Sequence, residues 1–132
     1  MTPRAFMAIL GSVVLGLLIV FQMLLALGLP LGHLAWGGQH RILPPVQRWM
    51  SFAAVFILAF AGWMLLARAG VVPPGADVRW VHVISWVFAG YFSLNVLMNA
   101  FLTQSAMERF AMTPVSLLLV LCFVLVSVAR VY

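Results

Sequence analysis

The chain has 132 residues, of which 66% are apolar and 7% are charged, and its net charge of +5 comes from seven arginines against Asp77 and Glu108. A soluble domain carries about a quarter charged residues, so this composition excludes a soluble globular protein. The arginines are scattered rather than clustered, which is typical of anchoring at membrane interfaces and argues against nucleic-acid binding.

Four apolar segments are each long enough to cross a hydrocarbon core of about 30 Å, which needs roughly 20 helical residues. Pro30 follows the first segment, Pro73-Pro74-Gly75 separates the second from the third, and Thr113-Pro114 suits the beginning of the fourth. The predicted helices cover residues 3–29, 49–67, 80–102 and 113–131. The sequence therefore predicts an all-α membrane protein, a single domain over residues 1–132 that forms an up-down four-helix bundle with a structured Gly/Trp/His loop after its first helix.

An even number of crossings places both termini on one side of the membrane, together with the loop of residues 71–77. We call this side the terminal face, and the opposite side, with the loops of residues 30–47 and 103–112, the loop face. Four arginines lie toward the terminal face and three toward the loop face: Arg4, Arg68, Arg79 and Arg130 against Arg41, Arg48 and Arg109. The positive-inside rule then predicts cytoplasmic termini, while the small difference leaves open insertion in both orientations.

Polar residues inside the predicted helices share a depth. Gln22 lies seven residues before Leu29, and Asn95 lies seven before Leu102. Both are therefore about 10 Å below the loop face, on helices that run in the same direction. We expect their amides to be within hydrogen-bond reach, directly or through one water, and Tyr91, Asn95 and Asn99 to form one polar stripe. This stripe is either a hydrogen-bonding contact between helices or the floor of a small-ligand pocket.

The loop of residues 31–45 concentrates glycine, aromatic and polar residues. Trp36 offers a flat anchor, and Gln39, His40 and Arg41 supply hydrogen-bonding groups. The loop is either an interfacial cap, with Trp36 at the lipid headgroups, or a binding loop. We expect it to fold back over the bundle and to place Trp36, His40 and Arg41 near Glu108.

Several motifs are shared with a known group of proteins. They are Ala35 to Arg41 (AWGGQHR), Leu43-Pro44, Arg48, Asn99, Ser105, Glu108-Arg109 and Met112 to Val115 (MTPV). In these motifs, the chain resembles a group of small four-helix bacterial membrane proteins that have an AWGGQHR-type first loop and an ER-x-x-MTPV-type start of the fourth helix. The resemblance covers most of the chain. It implies the four-helix fold and a bacterial inner membrane, and it implies no reaction.

Missing residue types exclude several functions. The chain has no lysine, so a retinal Schiff base is impossible. Because both acidic residues are expected in loops, no carboxylate inside the membrane is predicted, which argues against small multidrug transporters. His82 is about 30 Å from His33 and His40, so a haem with two histidine ligands fits poorly. Cys122 is the single cysteine. We predict no metal and no cofactor.

Two functional hypotheses of different class follow. The first is an accessory or structural subunit of a membrane complex, with Ala8, Ser12 and Gly16 as a flat contact strip. The alternative is a binder or channel for a small solute or lipid headgroup, in which a homodimer is one option. No catalytic residue is predicted, since a local Glu108–Arg109 ion pair explains those charges as well as a constellation with His40 would. The predicted partners are the bilayer and another protein or a second copy. The candidate ligand-binding residues are Gln22, Trp36, Gln39, His40, Arg41, Asn95, Asn99, Glu108 and Arg109.

Overall fold

The computed structural model describes residues 2–32, 40–103 and 106–128, and four long helices account for most of them. They are α1 (Pro3–Ala26), α2 (Pro45–Arg68), α3 (Arg79–Leu97), which continues as a π-helical turn (Met98–Leu102), and α4 (Ala106–Val128). Each is long and apolar enough to span a membrane when α3 is counted with its π-helical turn, and the described residues contain no strand. The prediction of an all-α four-helix membrane protein is confirmed.

Three helix boundaries differ from the predicted ones by at least three residues. α1 ends at Ala26 rather than residue 29, because Gly28 adopts a φ of +90° and the Gly28 and Leu29 amides bond back to the Leu25 and Leu24 carbonyls. α2 begins four residues before the predicted start, with Pro45 in its first turn. α4 begins at Ala106 rather than Thr113, so that Pro114 lies inside the helix. The predicted end of this helix at residue 131 lies outside the described residues.

The earlier start of α4 changes the position of an acidic residue. Glu108 lies in the first turn of α4, within a span long and apolar enough to cross the membrane. The expectation that both acids lie in loops was therefore wrong. It was wrong because Thr113-Pro114 has the composition of a helix start, while the helix continues through Pro114 and gives up only one backbone hydrogen bond.

Arginines connect the ends of neighbouring helices and fix their antiparallel order. Arg4 at the start of α1 donates from Nε to the carbonyl oxygen of Val126 near the end of α4, over 3.0 Å. Arg48 at the start of α2 donates from Nε to the carbonyl oxygen of Ala26 at the end of α1, over 3.1 Å. The last carbonyls of a helix lack partners within it, so these guanidinium groups cap helix ends in addition to any contact with lipid.

The half of the bundle toward the terminal face, which we call the packed half, holds most of the core. Its fully buried side chains come from all four helices: Ala8, Leu15, Ala61, Met64, Leu65, Val81, Leu119, Cys122, Phe123 and Val126. A Cβ at Gly11 would collide with Leu65 and lie 3.2 Å from Cys122 Cβ, so α1 approaches its neighbours closely at this glycine.

The contact strip predicted on α1 does not form. Ala8 faces the core and is fully buried, whereas Gly16 is exposed, and a Cβ added there would have no neighbour within 4 Å. Residues four apart advance by about 40° around a helix, so Ala8 and Gly16 point in directions about 80° apart. This strip no longer supports an outward-facing contact.

Candidate functional site

A cavity of about 420 Å³ lies between the four helices in the half toward the loop face, which we call the cavity half. Its volume lies within the range of about 300–1,000 Å³ found for small-molecule sites. All four helices contribute to its wall. The polar members of this lining are Gln22, Tyr91, Asn95, Asn99, Thr103, Glu108 and Ser116.

Aromatic rings form the floor of the cavity. Phe92 lines it and stacks on Phe123 of α4, with ring centroids 5.7 Å apart and an interplanar angle of 23°. Phe88 stacks on both rings, and Tyr91 meets Phe92 edge to face at 5.1 Å. These three stacked phenylalanine rings lie between the cavity, which Phe92 lines, and the packed half, in which Phe123 is fully buried.

Amide groups stand above this floor. Asn99 donates from Nδ2 to Ser116 Oγ over 3.2 Å, which links α4 to the π-helical turn. Gln22 Oε1 is buried and accepts no hydrogen bond. Gln22 and Asn95 line the same cavity, and no direct hydrogen bond joins them in the described structure. A bond through one water stays a prediction.

The π-helical turn contributes three residues to the lining: Met98, Asn99 and Leu102. A π-helical turn adds one residue to the turn, and so it changes the direction of every side chain that follows relative to a continuous α-helix. Thr103, directly after it, lines the cavity, and its carbonyl oxygen accepts a hydrogen bond from Arg109 Nη2 over 3.4 Å. The irregular turn thus gives the end of α3 its orientation toward the cavity, and such turns often occur at functional sites.

Glu108 brings a carboxylate to the cavity wall. It is 3% exposed and lies in the first turn of α4, where the helix dipole stabilises a negative charge. The lining residues Glu108, Met112 and Ser116 are spaced four apart on one face of the helix. Glu108 also interacts with another group.

The predicted site residues separate into three groups. Gln22, Asn95, Asn99 and Glu108 are brought together by the cavity. His40, Arg41 and Arg109 are exposed and do not line it. Trp36 and Gln39 lie outside the described residues. That any of them binds a ligand stays a prediction.

The ends of the first loop lie close together. The Gly32 amide donates to the Arg41 carbonyl oxygen over 2.7 Å, and a Cβ at Gly32 would collide with the His40 carbonyl oxygen. The segment between them therefore begins and ends at one point on the loop face. Residues 33–39, which include Trp36, lie outside the described residues, and the approach of His40 and Arg41 to Glu108 stays a prediction.

Sequence analysis placed Tyr91 in the polar stripe without naming it as a candidate ligand-binding residue, and it missed Thr103 and Ser116. The sequence did contain a signal for an earlier start of α4, because Ser105-Ala106-Met107-Glu108 has the S-x-x-E spacing of a capping box. This earlier start brings Ser116 and Glu108 into one helix. A helix that starts at Ala106 carries Glu108, Met112 and Ser116 on successive turns, and all three line the cavity.

Among the described residues, no three His, Cys, Asp or Glu side chains gather in a way that could hold a metal ion. Comparison of the chain with protein-family models, with curated proteins and with solved structures gave no match.

Proposed function

We propose that this integral membrane protein binds a small amphipathic molecule in the cavity half, as a carrier, channel or receptor rather than as an enzyme. The observation that carries this proposal is the cavity itself, about 420 Å³ in volume, with a buried Gln22 Oε1 that accepts no hydrogen bond. A buried polar atom without a partner is unfavourable by about 1–3 kcal/mol. A ligand, or water in its absence, supplies the missing donor.

The exposed part of the wall supports entry from the bilayer. Ile57 on α2, Tyr91 on α3 and Met98 in the π-helical turn line the cavity and are 47%, 41% and 47% exposed, whereas the wall residues of α1 and α4 are buried or half-buried. The opening thus faces lipid between α2 and α3. An amphipathic molecule reaches such an opening from the membrane interface.

A pair of variants on α2 tests this function. Ala54 lines the cavity, and its neighbour Ala53 is exposed and does not. We expect Ala54→Phe to fill the cavity and Ala53→Phe to leave it open. Native mass spectrometry of protein purified from its own membranes should show a small molecule or lipid bound to the wild type and to Ala53→Phe but lost from Ala54→Phe. Equal retention by both variants, or no bound molecule on any of them, would contradict the proposal.

An accessory role in a larger membrane complex is the second candidate, and the surface of α2 favours it. Exposed aromatic residues follow one side of this helix and pack against one another in pairs, with centroid distances of 6.1, 5.4 and 5.9 Å: Trp49 with Phe52, Phe52 with Phe56, and Phe60 with Trp63. Aromatic side chains are enriched where membrane proteins meet partners and interfaces. Foreign subunits in stoichiometric amounts after purification without crosslinking support this role, whereas a homodimer or monomer contradicts it.

We further propose a bacterial inner membrane with cytoplasmic termini, supported by the resemblance and by the arginine distribution. Single cysteines introduced by Gln39→Cys and Gly75→Cys test the orientation, after Cys122→Ser removes the native thiol. We expect a membrane-impermeant maleimide to label residue 39 from outside intact cells and residue 75 only after lysis. The reverse pattern, or labelling of both in intact cells, would contradict this orientation.

A further inference from the structure

We propose that Arg4 and Arg68 form a binding site for a phosphate group at the terminal face. This site lies at the opposite end of the bundle from the cavity, and it does not depend on the function proposed for the cavity. Its basis is a pair of guanidinium groups that share one helix end and bond only to neutral carbonyl groups in the described structure.

The two arginines meet at the end of α4. Arg4 donates from Nε to the carbonyl oxygen of Val126 over 3.0 Å, and Arg68 donates from Nη2 to the carbonyl oxygen of the next residue, Ser127, over 2.8 Å. Nη1 of Arg68 is bonded to the Ala76 carbonyl oxygen. Because successive residues of one helix hold both guanidinium groups, two positive charges lie close together.

The positive charge of this pair is only partly balanced. The charge of Arg68 acts on Arg4, and the carboxylate of Asp77 acts on both. Asp77 is exposed, so water screens its attraction, whereas Arg68 is 6% exposed. A buried charge is unfavourable unless it is paired. Two guanidinium groups that share one exposed carboxylate therefore attract a further anion.

Polar atoms of this network also lack partners. Arg4 Nη2, Arg68 Nε and Ser127 Oγ are buried and have no hydrogen-bond partner among the described residues. Phosphate oxygens accept several hydrogen bonds from guanidinium groups, which present their donors as a planar fork. Arg4 is half-buried, so a phosphate reaches the pair from the side of Arg4. Nη2 is covered in this structure, and a small movement of the flexible Arg4 side chain uncovers it.

The position of the pair suits a lipid headgroup. Arg4 lies in the first turn of α1 and Arg68 is the last residue of α2, so both are at the level where the membrane helices end. Lipid phosphates lie at this level, and basic groups between membrane helices bind anionic headgroups. A free phosphate ion has the same chemistry, and the experiment separates the two sources.

The first measurement compares lipids in nanodiscs that contain equal amounts of phosphatidylglycerol and phosphatidylcholine with the same acyl chains. Native mass spectrometry then shows which lipid stays bound. Arg4→Gln removes a charge from the site. Arg48→Gln is a matched control, because Arg48 is also half-buried and also donates from Nε to a carbonyl at a helix end, but at the loop face. Arg79→Gln removes an exposed charge near the terminal face.

We expect the wild type and both controls to retain phosphatidylglycerol in preference to phosphatidylcholine. Arg4→Gln should reduce this preference by about 10- to 100-fold, the range for one hydrogen bond to a charged group. Circular dichroism shows whether Arg4→Gln is folded. If it is not, Arg4→Lys replaces it, since it keeps the charge without the planar fork, and a smaller loss of the same preference is expected.

The second measurement identifies the source of the phosphate. Thermal unfolding is followed in detergent without phospholipid, at constant ionic strength, with dihexanoyl phosphatidylglycerol, dihexanoyl phosphatidylcholine or inorganic phosphate. A lipid site responds to the phosphatidylglycerol at lower concentration than to the other two. A site for the free ion responds to inorganic phosphate at least as well, and this response is weakened in the Arg4 variant.

Two results would overturn the site. One is a wild type that neither prefers phosphatidylglycerol nor is stabilised by inorganic phosphate. The other is a preference or a stabilisation that the Arg4 variant loses no more than Arg48→Gln and Arg79→Gln do, because the general positive charge of the protein would then explain it.

Discussion

The two halves of this bundle are built from the same four helices, yet the interior of one is filled by side chains and the interior of the other contains a cavity. The packed half brings Phe123, Leu65 and Leu119 together with no exposed surface, whereas the cavity half holds about 420 Å³ of open space lined by amides and a carboxylate. In lipid, helices associate through close packing rather than through exclusion of water. We infer that the packed half supplies the stability that allows the cavity half to remain open, and four sets of substitutions test this inference.

The largest effect is expected at Phe123. Replacing Phe123 by Ala removes a ring that stacks on Phe88 and Phe92 at 5.7 Å each. We expect a loss of about 3 kcal/mol, the lower end of the range for soluble cores, because the unfolded chain still keeps the ring in lipid or detergent. Unfolding by SDS in mixed micelles measures it. Phe56→Ala, at a lipid-exposed ring, is the control and should change little, and equal losses would contradict the comparison.

The second-largest effect is expected at Arg68, whose side chain donates hydrogen bonds to two backbone carbonyl groups near the terminal face. Arg68 is 6% exposed and donates from Nη1 to the Ala76 carbonyl over 2.9 Å and from Nη2 to the Ser127 carbonyl over 2.8 Å. Arg68→Gln should destabilise the fold by about 2 kcal/mol, since it removes charge-assisted hydrogen bonds to backbone carbonyls. Arg79→Gln, at an exposed arginine near the same face, should be nearly neutral in the same measurement. An unaffected Arg68→Gln protein would show that these bonds contribute nothing.

A smaller effect separates two glycines on α1. Gly11→Ala places a methyl group against Leu65 and Cys122, whereas Gly16→Ala meets nothing within 4 Å. We expect the first to lose about 1 kcal/mol through overpacking and the second to be neutral or to gain up to about 1 kcal/mol from helix propensity. SDS unfolding of the two variants side by side measures the difference. If both variants were stabilised, α1 would not be tightly packed at Gly11.

The smallest effects are expected in the cavity half, where two substitutions should change the stability in opposite directions. Gln22→Leu removes a buried acceptor that has no partner, so we expect the ligand-free protein to gain up to about 1 kcal/mol. Asn99→Leu removes the bond to Ser116 and should lose about 0.6 kcal/mol, a typical value for hydrogen bonds between membrane helices. Thermal unfolding in detergent compares them. A clear loss for Gln22→Leu would indicate that Gln22 stabilises the bundle rather than awaits a ligand.

The shared level of Gln22, Asn95 and Asn99 along the bundle was the part of the site that followed from the sequence. Gln22, Asn95 and Asn99 were placed below the loop face from their distances to the helix ends, and all three line the cavity. This works because a helix rises about 1.5 Å per residue whatever its neighbours are. The four membrane helices were predictable for the same reason, since length and hydropathy decide them.

The parts that depend on neighbouring helices were not predictable in this way. Whether Arg4 and Arg48 anchor in lipid or cap another helix depends on which helix ends meet in space. The residue types of Met98–Leu102 do not predict a π-helical turn. The start of α4 was missed because Thr113-Pro114 and the Ser105-x-x-Glu108 spacing are competing start signals, and the local pattern alone did not rank them.

The arginine contacts at the terminal face also constrain how the protein is made. Arg4 and Arg68 are synthesised with the first two helices, but the carbonyl oxygens of Val126 and Ser127 that they bind belong to the last one. Until α4 has left the ribosome and entered the bilayer, these two guanidinium groups have no acceptor on α4. These two contacts therefore form only after α4 has been inserted, and nascent chains that stop before α4 lack them.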